Sequence, residues 1–496
     1  MKKTLFFISI LSLIYTKIIF SKEEGLNTAF QQGKYAEIIS NFSAQIGEDG
    51  NTDVLYPYAF SLLKLKFPIL ANFYFEKSKN IKSKEESDIL YRYVEHIHAD
   101  KSHPFPYGSD FMRLIKKDMS RFSTEEKFRG MLHFHTALEW VNAGDIKKAI
   151  HELQQVLPTN SEYGNALFLL GVLENRLGEV KRSKSYFLKS YDVFVQMGDS
   201  DPVLKEQSAL NIARLYYEEK NFKEAIVFYS KISENSEFWL QALLESAWAF
   251  YFMDKTGNSL GNLRTILSSF YEKRFYPEAY VIQGISLIKN CYFKSAAKSG
   301  KFFQKKYKPI LNEMKNIDKK SKETPSYLYE IFDAYMNRKL FTHEEIGGVF
   351  DRILQEKIVQ REFLILKLIK NEFSQIRNSS FPENVKEKLK DQLMKINGNR
   401  ISNLSALLMK KFQRQMNDLN DFSIQIQLIN AQSVLGSLDV LRSEMHVGIE
   451  QKNVQYIGGM KEMKIDQKLE YWPFEGEYWR DELGGYVYKI SNICRL

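Results

Sequence analysis

Between Ser208 and Ile232 the chain reads SALNIARLYYEEKNFKEAIVFYSKI, with apolar or small residues at Leu210, Ala213, Tyr216 and Tyr217, then at Phe222, Ala225, Ile226 and Tyr229. Steps of three and four place each set on one face of a helix. The polar break Glu218-Glu219-Lys220-Asn221 separates the two sets. The stretch therefore predicts two amphipathic helices turned back on each other. Such a hairpin cannot bury both apolar faces alone and needs neighbours of its own kind.

Copies of the pattern follow one another along the chain. The positions read Ala137, Trp140, Gly144, Ile146 and Ala149, then Gly171, Glu174, Gly178, Val180 and Ser183. They continue as Ala213, Tyr216, Lys220, Phe222 and Ala225, then Ala247, Phe250, Asp254, Thr256 and Ser259. A looser copy is Gly284, Leu287, Cys291, Phe293 and Ala296. Near the start, Gly33, Tyr35, Ile38 and Phe42 look like the second half of another copy, and Ala59, Leu62, Ala71 and Phe75 like one more. Small residues recur because the two helices of a hairpin approach closely where no side chain intervenes.

Ala137 and Gly171 are 34 residues apart, as are Ala213 and Ala247. With that period and these small and aromatic positions, the chain resembles the tetratricopeptide repeat (TPR) family, in an exported bacterial form. Glu174 and Lys220 depart from the family pattern. The resemblance implies an all-α fold: a right-handed TPR-like α-solenoid of helical hairpins, followed here by longer helices and a small aromatic C-terminal tail. It also implies that the first helix of each hairpin lines a concave groove. Carried onto this register, the groove presents Asn142, Asn175, Arg176, Arg214, Tyr217, Trp248 and Tyr251. Amide, guanidinium and aromatic groups suit an extended peptide. The competing reading is that such residues are solvated or pack between repeats.

The organisation predicted from composition has six parts. Residues 1–21 read as a signal peptide, with Lys2 and Lys3 before the uncharged run Leu5 to Tyr15 and an end near Ser21. An uncleaved anchor is the alternative. Residues 22–128 are degenerate N-terminal helical repeats, broken around Pro104, Pro106 and Gly108, and 129–308 are the clearest repeats. Pro309 to Pro325 is the expected linker. Residues 326–447 carry long helical segments, with a stripe through Leu404, Leu407, Leu408, Phe412, Met416, Leu419 and Phe422. The pattern leaves a packed hairpin, a coiled coil and a cap over the end of the array all open. In the tail (448–496), Tyr471 to Trp479 is dense in aromatics, and Tyr486 to Ile490 alternates as a strand does, so a short β-hairpin is expected there.

Charge refines the picture. The 496 residues carry a formal net charge of +9, and loss of Lys2, Lys3 and Lys17 with the signal leaves +6. Eleven lysines lie between Lys289 and Lys322 against Glu313 and Asp318 alone. For an exported chain this favours an anionic envelope polymer, such as peptidoglycan or another surface glycan, or lipid head groups, over nucleic acid. Lys298, Lys301, Lys305 and Lys306 are the expected anion-binding patch, and a solvated helix face is the plain alternative. The only two cysteines, Cys291 and Cys494, are candidates for a bridge in an oxidising compartment.

Signals for catalysis are poor. His96 and His98, like His133 and His135, are two apart and so point to nearly opposite sides of a helix, which makes neither pair one metal site. Ser61 to Lys64, Ser233 to Asn235 and Lys255 to Gly257 echo the three short motifs of penicillin-binding enzymes. The last of these falls in a repeat turn rather than on a strand. No phosphate loop, dinucleotide fingerprint or zinc helix motif occurs, and no cofactor or metal is expected. The leading expectation is a non-enzymatic exported scaffold that binds protein partners in the cell envelope, and the alternative is a binder of an anionic envelope polymer. The sequence leaves oligomeric state open.

Overall fold

The computed structural model describes residues 26, 28–46, 54–78, 83–99, 118, 121–122, 126–198, 202–338, 346–447 and 480–494. The signal region, the proline-rich break and Tyr471 to Trp479 lie outside them. The described residues are helical, with no strand among them. They divide into two compact units, one of residues 1–163 with 357–404 and the other of 164–356 with 405–496. The division cuts across the predicted segments. The hairpin around Ala137 belongs to the first unit, and the chain returns there after residue 356.

In the first unit, α1 (Tyr35–Phe42) precedes the hairpin α2 (Leu55–Lys64) and α3 (Pro68–Lys77), followed by α4 (Lys84–Ala99). A second hairpin is α5 (Glu126–Asn142) and α6 (Ile146–Leu153). Aromatic rings fill the core between them: Tyr58 meets Tyr74 edge-on at 5.1 Å, and Phe75 stacks on Tyr93 at 4.0 Å. Pro68 sits in the first turn of α3, where its missing N–H costs no helical bond. The orphan donors of that turn are met from α17 (Lys357–Asn378), whose buried Glu372 accepts from Ile69 N at 2.5 Å and Leu70 N at 3.3 Å. Burial pushes the Glu372 carboxyl up to about 8, against the opposing pull of those two N–H groups. The start of α18 (Glu383–Val447) adds Lys388, whose ammonium donates to the carbonyls of Ser43 and Ile46 beyond α1.

The second unit is a run of four hairpins. They are α7 (Tyr163–Arg176) with α8 (Val180–Gln196), α9 (Pro202–Glu218) with α10 (Phe222–Tyr229), α11 (Trp239–Phe252) with α12 (Thr256–Ile266), and α13 (Glu278–Lys289) with α14 (Phe293–Glu323). From α8 onwards each helix packs on the next. At the five turn positions read from the sequence, Gly144, Gly178, Lys220, Asp254 and Cys291, φ lies between +60° and +82°. The residue after each donates its N–H five back, as Asn221 does to Tyr216 O and Lys255 to Phe250 O, both at 2.9 Å. This is the Schellman closure, which uses up carbonyls left open at a helix end. Asp145 and Asn221 then cap the following helix by accepting from Lys148 N and Glu224 N.

Two expectations are corrected here. Residues 309–323 are no linker but the second half of α14, a helix of 31 residues with Pro309 inside it. The buried row Ile310, Leu311, Met314 and Ile317 continues past the proline, and that packing outweighs the one backbone bond a proline removes. Nor do the described tail residues, 480–494, contain a strand: residues 486–493 run without regular secondary structure past α12 to the end of α13. Gly484 N donates to Thr265 Oγ1, Tyr488 N to Gly257 O and Ile493 N to Asn290 O. A Cβ at Gly261 would stand 1.7 Å from Tyr486 O. Absence of a side chain there gives the tail backbone its seat. At its end Cys494 is bonded to Cys291, with Cα atoms 5.1 Å apart.

The remaining segments of this unit are α15 (Tyr327–Met336), α16 (Gly347–Leu354) and α18 from Ser405 onwards. Phe412 of α18 lies 6.3 Å from Phe350 of α16, and Gln413 donates to Asp318 of α14. A Cβ at Gly284 of α13 would touch Ile429 at 2.9 Å, and one at Gly300 of α14 would strike Asn430. The long helix thus lies directly on the last hairpin.

Candidate partner-binding surface

Arg214 on α9, Glu245 and Trp248 on α11, and Glu278 on α13 fall on the first helices of successive hairpins. Arg214 grips Glu245 through Nε and Nη2, at 2.9 Å and 2.6 Å. Tyr229 Oη and Gln241 Nε2 donate to the same carboxylate at 3.0 Å and 2.8 Å. Burial would lower the Arg214 guanidinium, but its bonds to Glu245 more than compensate and leave it raised. Burial and then the Glu245 charge push the Tyr229 hydroxyl far up, so it remains a donor.

One hairpin further on, Trp248 Nε1 donates to Glu278 Oε1 at 2.8 Å. Burial raises the Glu278 carboxyl, aided by the charges of Glu245 and Asp418 and opposed by Trp248 and Arg352. Beside this polar row the rings form a ledge. Phe252 stacks on Phe222 at 5.5 Å and on Trp248 at 6.0 Å, and meets Tyr217 at 6.2 Å and Tyr251 at 5.4 Å edge-on. Lys289 Nζ stands 4.5 Å over the Tyr251 ring and donates to Tyr251 O. Phe252 keeps half of its surface exposed, which makes it the open face of the ledge.

The seven groove residues named from the sequence separate into two kinds. Tyr217, Trp248 and Tyr251 meet in the ledge, and Arg214 is committed to Glu245, so it steers through that pair and does not reach out as a free guanidinium. Asn175 and Arg176 are exposed at the end of α7, and Asn142, also exposed, ends α5 in the first unit. Phe252 and Glu278 were missed. Phe252 lies between the named groove positions and the turn, and its only sequence signal was the aromatic run AFYF.

Of the four patch lysines, Lys298, Lys301 and Lys305 are exposed on α14. Lys306 departs from the others: it is half-buried, donates to Glu272 O at 2.7 Å and is lowered by burial. A separate cavity of about 330 Å³ is lined by Trp239, Tyr271, Arg274, Tyr276, Asp351 and Arg352, among others. Arg352 donates to Phe275 O there.

The residues of the enzyme-like motifs serve the packing. Ser61 Oγ is buried and donates to Pro57 O, and Thr256 Oγ1 accepts from Asn290 at the start of α12. His133 pairs with Glu152 at 2.8 Å while His135 is buried. No group of three or more His, Cys, Asp or Glu among the described residues could hold a metal ion. No described helix is long and apolar enough to cross a membrane.

No family model matches the chain, and no curated protein matches it either. Among solved structures it is similar to the C-terminal part of a TPR repeat-containing protein from Cytophaga hutchinsonii, at 15% identity over 56% of this chain and 98% of that one, with a TM-score of 0.29. It is also similar to the apo form of RapI, at 11% identity over 80% and 99% of the two chains and a TM-score of 0.34. A Rap protein complexed with Competence and Sporulation Factor matches at 11% identity over 80% and 98%, with a TM-score of 0.29. Scores this low leave the argument with the chain's own hairpins. Their period, their left-handed turns and their helix order make the described residues an all-α array of hairpins that resembles the tetratricopeptide repeat.

Proposed function

We propose that this chain is an exported, non-enzymatic scaffold that holds a protein partner of the cell envelope along the first helices of its second unit. The observation that carries the reading is the ledge: an exposed Phe252 on a platform of Tyr217, Phe222, Trp248 and Tyr251. Beside it, polar groups are already held by Arg214–Glu245 and Trp248–Glu278. Rigid aromatic area next to oriented polar groups binds with little ordering cost. An extended segment would stack an apolar side chain on Phe252 and offer its amides to the polar row. The N-terminal pattern of Lys2, Lys3 and an apolar run supports export.

The test is photo-crosslinking from position 252 in intact cells, followed by fractionation. One envelope protein crosslinked from position 252, and lost when Trp248→Ala removes the platform, is the expected result. Crosslinks to cytoplasmic proteins alone would overturn the location, and unchanged crosslinking in the Trp248→Ala variant would overturn the site.

A further inference from the structure

Helix α14 turns its apolar residues to one side: Ala296, Phe303, Tyr307, Ile310, Met314 and Ile317 are all buried. On the opposite side, Lys294, Lys298, Lys301, Lys305, Lys308 and Lys315 are exposed, and Lys319 extends the row. Their steps of three, four and seven keep them within one narrow arc of the helix. The row runs for roughly 38 Å at the helical rise per residue. The place between Lys308 and Lys315 is taken by the neutral, exposed Asn312. Glu313 and Asp318 lie off the row: Glu313 accepts from Asn316, and Asp318 pairs with Lys322 and Gln413. None of the seven lysines forms an ion pair with an acid among the described residues.

A merely solvated helix face mixes its signs, because like charges three or four residues apart destabilise the helix. This one repeats a single sign along most of its length, and an external polyanion is the natural counterweight. We propose that the outer face of α14 is a binding rail for a flexible linear polymer carrying phosphate groups. Three features select that ligand. Neighbouring lysines are about 5–6 Å apart at their Cβ atoms, a spacing that suits successive charges on an extended chain. No arginine occurs from Lys289 to Asn337, so the rail offers point charges, which follow phosphates along a flexible chain without the fixed geometry that a guanidinium fork imposes on carboxylate and phosphate alike. The arc carries no large apolar side chain to enter a bilayer. Phe302, half-exposed, stands at its edge with Lys298 5.9 Å away. Lys306, on another side of the helix and bonded to Glu272 O, is not part of the rail. The proposal is independent of the ledge on α11.

The test uses the full chain and long-chain inorganic polyphosphate, with affinity measured as a function of salt. Release of counterions predicts a log–log slope of about −5 for seven lysines, at roughly 0.7 per contact. The K298Q/K301Q/K305Q/K308Q variant should retain its helical signal, reduce that slope by about 3, and bind at least about tenfold more weakly in 0.1 M salt. A control with four exposed lysines changed elsewhere, K181Q/K223Q/K357Q/K395Q, should keep the slope. Single-stranded oligonucleotides should bind no better than polyphosphate at equal charge, since a single ring borders the rail. Equal slopes in the two variants, tighter binding of the oligonucleotide, or binding only to vesicles of phosphatidylglycerol and phosphatidylcholine would each overturn the assignment.

Discussion

Ser183 Oγ donates to Gly171 O at 2.8 Å, joining a small residue of α8 to one of α7. Both are buried, and a Cβ on Gly171 would stand 2.8 Å from the Phe187 ring. Gly171→Ala should cost about 1–3 kcal/mol through crowding, and Ser183→Ala about 1 kcal/mol through the lost bond. Urea unfolding of the two variants and of the double variant checks this, with non-additivity expected because the sites touch.

Glu372 makes the stability of the first unit depend on pH. Its carboxyl is raised by burial to about 8 from an ordinary value of 4.5. Between those values the folded protein holds a proton that the unfolded chain has lost, so stability falls as pH rises from about 4.5 to about 8. Glu372→Gln should flatten that slope while still accepting from Ile69 N. Urea midpoints measured across this range decide it, and a slope that survives the substitution would point to another group.

Arg214 and Glu245 should be worth more intact than halved. Arg214→Met strips Glu245 of its counter-charge but leaves Tyr229 and Gln241 bonded to it. Since the Arg214 side chain keeps 43% of its surface exposed, solvent screening limits the loss to about 1–2 kcal/mol. Arg214→Met with Glu245→Met should be less damaging than the single change. Thermal unfolding of the three variants tests the order.

Opening the Cys291–Cys494 bond should free the tail from α12. In the loop-entropy description a closure of this length contributes roughly 5 kcal/mol. Cys494→Ser should therefore lower stability and speed trypsin cleavage after Lys489, whose side chain is exposed already. Gly261→Ala, whose new Cβ would collide with Tyr486 O, should loosen the same segment with both cysteines in place. Limited proteolysis timed against the parent protein reads out both.

The register of the hairpins was legible because turns are local. Gly144, Gly178, Lys220, Asp254 and Cys291 were aligned by spacing alone, and all five have left-handed backbones. At Lys220, Asp254 and Cys291 the side chain itself hid the signal, and only the period of the neighbouring small residues exposed it. Pro309 misled for the opposite reason. A proline is a strong local mark, yet burial of Ile310, Met314 and Ile317 carries α14 through it. Arg214 was recognisable as a first-helix residue but not as the partner of Glu245, because that pairing depends on how consecutive hairpins stack. The ledge was half legible: its rings were named in part, while the exposure of Phe252 is a property of the packed array.

The cap on α3 has a consequence for biogenesis. Ile69 and Glu372 are 303 residues apart in the chain, so at ordinary synthesis rates their meeting waits on the order of 15–60 s after Ile69 emerges. For most of that interval the second unit is being made while the first lacks the segment that completes it. Nascent α2 and α3 must therefore wait for the segment that caps Ile69 and Leu70 and sets Phe381 against Phe67.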